Sequence, residues 1–201
     1  MSLDALREAC DVLISEAEFT APHAECAKPQ WWTAHDSEST ENEVIELLAA
    51  LVRALQPEVV VESGSGFGYT TEAMGQALMR NGHGCLWSLE IDGGRAAEAR
   101  GRCVGLPVVL VEVDSLDWRP DRLVDLAFFD SAYEARIQEF RRWHQGGWLR
   151  KDGIACFHDT TSGLRGHHVD MQREVGLLTA AGMIRPVFLR TPRGLAICEI
   201  L

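Results

Sequence analysis

The sequence predicts an α/β fold, a doubly wound and mostly parallel sheet that ends in a C-terminal antiparallel hairpin. Three observations carry that expectation. From residue 58 onward, short apolar runs alternate with helix-like segments, the pattern of βαβ units with helices on both faces of a sheet. The run Val59-Val60-Val61 ends in Glu62-Ser63-Gly64-Ser65-Gly66-Phe67-Gly68-Tyr69, a glycine-rich turn between a buried strand and a helix. Finally, residues 183–190 and 195–201 are β-rich runs joined by Thr191-Pro192-Arg193-Gly194, a hairpin-length connection that a simple flavodoxin-like sheet does not need.

Each element follows from local chemistry. Two amphipathic segments, 4–16 and 40–55, precede the sheet. The second places Val44, Leu47, Leu48, Leu51 and Leu55 at helical spacing behind the polar cluster Asp36-Ser37-Glu38-Ser39-Thr40, which is suited to capping. Between them, residues 21–32 contain Pro22, Pro29 and the pair Trp31-Trp32, an irregular loop with large apolar side chains. Strands are expected at 58–63, 85–90, 107–114, 124–130 and 153–159, with helices at 70–80, 94–103, 133–149 and about 168–181. The whole of 1–201 reads as one domain, with N-terminal helices and a loop over 1–57 and a ligand-binding core over 58–201.

Composition narrows the function classes. The net charge of −11, without a Lys/Arg stripe, disfavours a phosphate backbone as partner, so no nucleic acid is expected. The charged start Met1-Ser2-Leu3-Asp4-Ala5-Leu6-Arg7-Glu8 has no apolar leader and the apolar runs are strand-sized, so neither export nor a membrane is expected; the reading is a cytoplasmic protein. Arginine outnumbers the two lysines, Lys28 and Lys151, a bias associated with GC-rich bacterial genomes. Six scattered cysteines without a CxxC pair argue against a disulfide framework or a zinc site.

In a doubly wound sheet, ligands gather at the carboxyl ends of the strands. Here every predicted parallel strand delivers an acid to that edge: Glu62, Glu90-Ile91-Asp92, Asp114, Asp130 and His158-Asp159. Carboxylates grouped on one rim repel one another unless a cation or ligand donors compensate. Glu90, an acid at the end of the second strand, is suited to accept hydrogen bonds from two ribose hydroxyls.

The GxGxG spacing with Glu62 two residues before Gly64 lacks both the GxGxxG dinucleotide fingerprint and the lysine of a P-loop, and it resembles motif I of the class I S-adenosylmethionine (SAM)-dependent methyltransferases. Their core is the Rossmann-like sheet with a terminal hairpin described above. The resemblance implies SAM as cofactor, with Glu62 and the amides of Gly64, Ser65, Gly66 and Gly68 at its amino-acid end, assisted by Tyr69 and Thr70. It places Glu90 on the ribose and Asp114 and Ser115 at the adenine, and counts Asp130 among the cofactor-binding and catalytic residues, with Asp159 and His158 also catalytic.

Within that superfamily, Phe128-Phe129-Asp130-Ser131-Ala132-Tyr133 and Phe157-His158-Asp159-Thr160-Thr161 resemble the small-molecule O-methyltransferases of the caffeoyl-CoA and catechol type, or the metal-dependent sugar and macrolide type. The resemblance implies a divalent cation, Mg²⁺ or Mn²⁺, held by Asp130, Asp159 and His158. Thr160 stands where the first type has asparagine, and His158 where the second has an acid, so a metal-free mechanism stays open. In that mechanism His158, at the mouth of the site, takes the acceptor's proton; the alternative is a histidine that orients Asp159 or closes the strand end. Trp31 and Trp32 fall where the family builds its acceptor pocket or a homodimer contact. The expected activity is methyl transfer to a hydroxyl of a small metabolite, with a non-catalytic SAM-binding module or a nicotinamide-dependent oxidoreductase as rivals.

Overall fold

The computed structural model describes residues 33–36, 38–161 and 170–201. The expected helix at 4–16, the Trp31-Trp32 pair, Cys10, Cys26 and His167-His168 lie outside them. In chain order the elements are α1 (Asn42–Leu55), β1 (Val59–Ser63), α2 (Tyr69–Asn81), β2 (Cys85–Glu90), α3 (Gly93–Arg102), β3 (Val108–Glu112), β4 (Val124–Phe129), α4 (Tyr133–Gln145), β5 (Leu149–His158), α5 (Met171–Ala180), β6 (Ile184–Leu189) and β7 (Leu195–Ile200).

The strands form one sheet in the order β3-β2-β1-β4-β5-β7-β6. β1 to β5 pair in parallel, whereas β7 runs antiparallel between β5 and β6. A dinucleotide-binding sheet of order 3-2-1-4-5-6 has no such inserted strand. The hairpin places Leu195 opposite His158, so the β6–β7 turn lies beside the carboxyl end of β5.

Alternating strand residues feed two cores. Val60, Leu126, Phe128 and Cys156 face Val44, Leu48 and Val52 of α1 and Met74 and Leu78 of α2. On the opposite face Val59, Val61, Ala127, Phe129 and Phe157 pack with Ile137, Phe140 and Trp143 of α4 and Val175 and Leu178 of α5. Because both faces are covered, β1 is buried at all five positions, which is why it reads as an unbroken valine run.

The boundaries differ from expectation for local reasons. α4 stops at Gln145 because Gly146 and Gly147 follow, the latter at φ 68°, and β5 then starts early at Leu149. β3 ends before Asp114, whose carboxylate accepts from the Leu116 amide and turns the chain. The cluster before α1 does not cap it: Asp36 Oδ1 accepts from the amides of Glu38 and Ser39, and the N-cap residue, Glu41, makes no side-chain capping bond. Cys85, Cys103, Cys156 and Cys198 are free thiols, and no described helix is long and apolar enough to cross a membrane.

Candidate active site

A cavity of about 500 Å³ opens at the carboxyl edge of the sheet, within the size range of small-molecule sites. Its lining brings together Gly64, Ser65, Gly66, Tyr69, Glu90, Asp114, Ser115 and Asp130 from the sequence-predicted set. Glu38, Ser39 and Thr40 form one wall, and Tyr133, Arg136 and Arg193 contribute at the Asp130 end.

The glycine loop is held by its own strand ends. The amides of Gly64 and Ser65 donate to Leu89 O, that of Gly68 to Ser65 O, and that of Gly66 to Glu90 Oε2 at 2.8 Å. These four amides, expected at the amino-acid end of SAM, are thus already engaged within the protein. Gly64 is required by a close approach: at φ +85° an added Cβ would lie 2.5 Å from Asp130 O. Gly68 lies outside the lining and backs onto α3, where an added Cβ would lie 2.8 Å from Ala99. The buried Ser65 Oγ has no protein partner.

Glu62 corrects a second expectation, since it does not reach the cavity. It is fully buried behind the loop, where Thr71 Oγ1 (2.5 Å) and Ser88 Oγ (2.6 Å) donate to its Oε2. Burial pushes its pKa up to about 7 against those hydrogen bonds. Glu90 faces the cavity, and its other oxygen accepts from the Asp92 amide at 3.0 Å. Ser115 lines the cavity too, but its hydroxyl donates to Glu139. That buried carboxylate also takes the hydroxyls of Ser63 and Ser131, each at 2.6 Å, and so ties together the ends of three strands.

At the Asp130 end the structure assembles a six-membered charge cluster. Arg136 forks onto two carboxylates, NH2 to Asp130 Oδ1 and NH1 to Asp159 Oδ2, both at 2.8 Å. Arg193, in the β6–β7 turn, binds Asp159 from the other side through Nε at 2.5 Å and NH2 at 3.0 Å. His158 lies beneath, fully buried, with Nδ1 3.0 Å from Asp130 Oδ1 and Nε2 2.5 Å from Glu41 Oε2. It was expected at the mouth of the site; instead Asp130 separates it from the cavity. Burial opposes its positive charge, but Asp130, Asp159 and Glu41 outweigh burial and raise its pKa to about 10. Burial likewise opposes ionisation of Asp159, and the charges of His158, Arg193 and Arg136 hold it well below the ordinary carboxylate range. Asp159 adopts the left-handed region at φ 60°, one of few residue types that tolerate it.

Asp130, His158 and Asp159 offer ligand atoms within 4.8 Å of one another, which brings the expected metal triad together. The donor set does not suit a divalent ion, however. Asp130 Oδ1 and Asp159 Oδ2 carry Arg136, Asp159 Oδ1 carries Arg193, Asp130 Oδ2 accepts from Thr40 Oγ1 at 2.7 Å, and both imidazole nitrogens face carboxylates. Three anions already balance three cations.

Sequence reasoning missed Arg136, Arg193, Glu41 and Glu139. The first and last had a signal: Arg136 and Glu139 fall within the helical stripe of Ile137, Phe140 and Trp143, where a charge implies a buried partner. Arg193 looked like a turn residue and Glu41 like a helix-start residue, and neither pattern points to a contact across the sheet.

Residues 61–160 match a family model described as a methyltransferase domain. This chain carries a methyltransferase domain. Solved structures share the fold: a putative caffeoyl-CoA O-methyltransferase from Staphylococcus aureus (16% identity, 100% of this chain and 93% of that one, TM-score 0.70) is similar over the full length. An S-adenosylhomocysteine-bound methyltransferase from Podospora anserina (16%, 82% and 80%, TM-score 0.70) is similar over most of it. So is a SAM-bound O-methyltransferase from Streptomyces achromogenes involved in tomaymycin synthesis (18%, 82% and 82%, TM-score 0.67). A search of curated proteins returns no significant match.

Proposed function

We propose that this methyltransferase domain transfers the methyl group of SAM to a hydroxyl oxygen of a small metabolite. The observation that carries the reading is the single cavity in which the glycine loop, Glu90, Asp114 and Asp130 meet. Bound SAM supplies the activated methyl group, and similar structures hold SAM or its demethylated product.

The residues divide that task. Each carboxylate oxygen of Glu90 retains a lone pair after accepting one amide, which leaves capacity for ribose hydroxyls. The orphaned Ser65 Oγ is available to a polar group of the cofactor, and Asp114 to the adenine amine. Asp130, with Thr40 on its Oδ2, holds the acceptor hydroxyl and receives its proton as the methyl group arrives. His158 acts through Asp130 as a positioning residue, because both its nitrogens are committed to carboxylates. In-line displacement otherwise needs alignment and exclusion of water, which the wall of Glu38, Ser39 and Thr40 supports.

The charge of −11 supports a small-molecule partner over nucleic acid, and composition supports a bacterial, cytoplasmic setting. A homodimer contact through the N-terminal region belongs to the same reading.

Calorimetry with SAM, S-adenosylhomocysteine and NAD tests the cofactor assignment. Micromolar binding of the first two is expected, with Glu90→Ala weakening it by about 1–3 kcal/mol. NAD binding, or SAM affinity unchanged in Glu90→Ala, would overturn the assignment. Methyl-labelled SAM incubated with hydroxylated metabolites tests the transfer itself, and label on nitrogen or carbon instead of oxygen would correct its class.

A further inference from the structure

We propose that Arg136 is the resident cation of this site: its guanidinium fills the place between Asp130 and Asp159 that a divalent ion takes in metal-dependent O-methyltransferases, so the protein works without one. The side chain is only 4% exposed, and its donors are spent on four groups. NH2 meets Asp130 Oδ1 and NH1 meets Asp159 Oδ2, both at 2.8 Å; NH1 also donates to His158 O at 3.0 Å, and Nε donates to Ser131 O at 2.7 Å. The Tyr133 ring covers the guanidinium carbon at 4.5 Å.

Three arguments converge on that role. A planar fork matches two carboxylates in a fixed geometry, so Arg136 orients Asp130 toward the cavity much as a shared ion would. An octahedral ion needs oxygen lone pairs and bound waters, but Asp130 Oδ1 is paired with Arg136, Asp130 Oδ2 accepts from Thr40, and Asp159 Oδ2 accepts from Arg136 and Arg193; Asp159 Oδ1 makes no hydrogen bond but is ion-paired with Arg193 Nε. Charge completes the case: the guanidinium groups of Arg136 and Arg193 already lie against Asp130 and Asp159, so a divalent ion would add two positive charges to a buried site whose carboxylates are paired. A guanidinium has no open coordination position. It therefore cannot bind the acceptor oxygen as a Lewis acid does, and proton removal stays with Asp130.

The test is Mn²⁺ binding followed by electron paramagnetic resonance on chelator-treated protein, with S-adenosylhomocysteine binding measured in the same samples. The inference rests on the methyltransferase reading only for its comparison. Loss of S-adenosylhomocysteine binding would count against that reading, whereas the Mn²⁺ signal reports on Arg136 alone. Wild type should show no saturable Mn²⁺ binding up to about 1 mM. Arg136→Gln, which frees both aspartates, should gain a site at least about 10-fold tighter, and Arg136→Gln/Asp159→Asn should lose it again. Arg136→Lys keeps the charge and should stay indifferent to Mn²⁺; it carries the test with wild type if circular dichroism shows that the glutamine variant does not fold. One equivalent of Mn²⁺ bound by wild type and abolished by Asp130→Asn, or a folded Arg136→Gln variant that ignores Mn²⁺, overturns the proposal.

Discussion

Glu41 Oε2 lies 2.5 Å from His158 Nε2, although the two residues are 117 positions apart in sequence and neither side chain reaches solvent. The contact joins the start of α1 to the end of β5. Glu41 Oε1 also accepts from the Arg193 amide at 2.7 Å, so one carboxylate links three segments that converge on the charge cluster. An N-cap residue that spends its side chain here forgoes a capping bond of about 1 kcal/mol, so the fold favours the pocket wall over the helix end.

The raised pKa of His158 makes stability fall at high pH. Its ordinary value is 6.5 and its folded value about 10, so the stabilisation is complete below pH 6.5 and is lost as pH rises through about 10. Urea midpoints measured across that window should decline, and His158→Gln should flatten the decline. Midpoints that stay constant in wild type over the same range would mean that the buried ring is neutral.

Glu62 has the opposite chemistry and the same sign. A buried acid with a folded pKa of about 7, against an ordinary 4.5, favours folding most below pH 4.5 and loses that contribution as pH rises through 7. Glu62→Gln keeps an acceptor for Thr71 and Ser88 without the charge. The variant should match wild type at pH 4 and exceed its stability at pH 8 by up to about 3 kcal/mol. Denaturant titrations at the two pH values check this, and equal stability differences at both would show that Glu62 is ionised in the fold without penalty.

The glycines of the loop should differ in cost. An added Cβ at Gly64 would lie 2.5 Å from a backbone oxygen, whereas at Gly66 nothing stands within 4 Å and only the positive φ of 51° resists. Gly66→Ala should therefore lower stability by about 1–2 kcal/mol, and Gly64→Ala by clearly more because β4 must move. Thermal melts of the two variants side by side decide it; equal melting temperatures would place the constraint in φ alone.

The sheet was legible because its signals are local. The valine run of β1 and the strand-end acids are patterns within a few residues, and the hairpin that brings β7 beside β5 announced itself through Pro192-Gly194 chemistry, whereas the Gly146-Gly147 stop of α4 was read through. The site was legible only at its rim. Asp130, His158 and Asp159 were expected together and do meet, but the sequence pattern supplied no information on what neutralises them. Arg136 comes from a helix face, Arg193 from a turn and Glu41 from a distant helix start, and such pairings depend on three-dimensional packing rather than on spacing. Glu62 shows the converse, since an acid beside a glycine loop has the same sequence pattern whether it faces the ligand or the core.

Glu139 is the residue whose removal should separate scaffold from chemistry most clearly. Its Oε1 accepts from Ser115 and Ser131 and its Oε2 from Ser63, so one buried side chain fixes the ends of β1, β3 and β4 from below while lying outside the cavity lining itself. Glu139→Ala strands three hydroxyls and opens a void, for an expected loss of about 3 kcal/mol. Ser115 and Ser131 line the cavity, so S-adenosylhomocysteine affinity should fall by about 10-fold even in the folded fraction. Glu139→Gln keeps one oxygen and one amide, to which a rotated serine hydroxyl can adapt, and should recover more than half of both losses. A double-mutant cycle with Ser115→Ala measures the coupling: the serine substitution should cost about 1–2 kcal/mol with Glu139 present and close to nothing once it is gone. Equal costs in the two backgrounds would mean that Ser115 is held by its turn, and that Glu139 supports the pocket through packing alone.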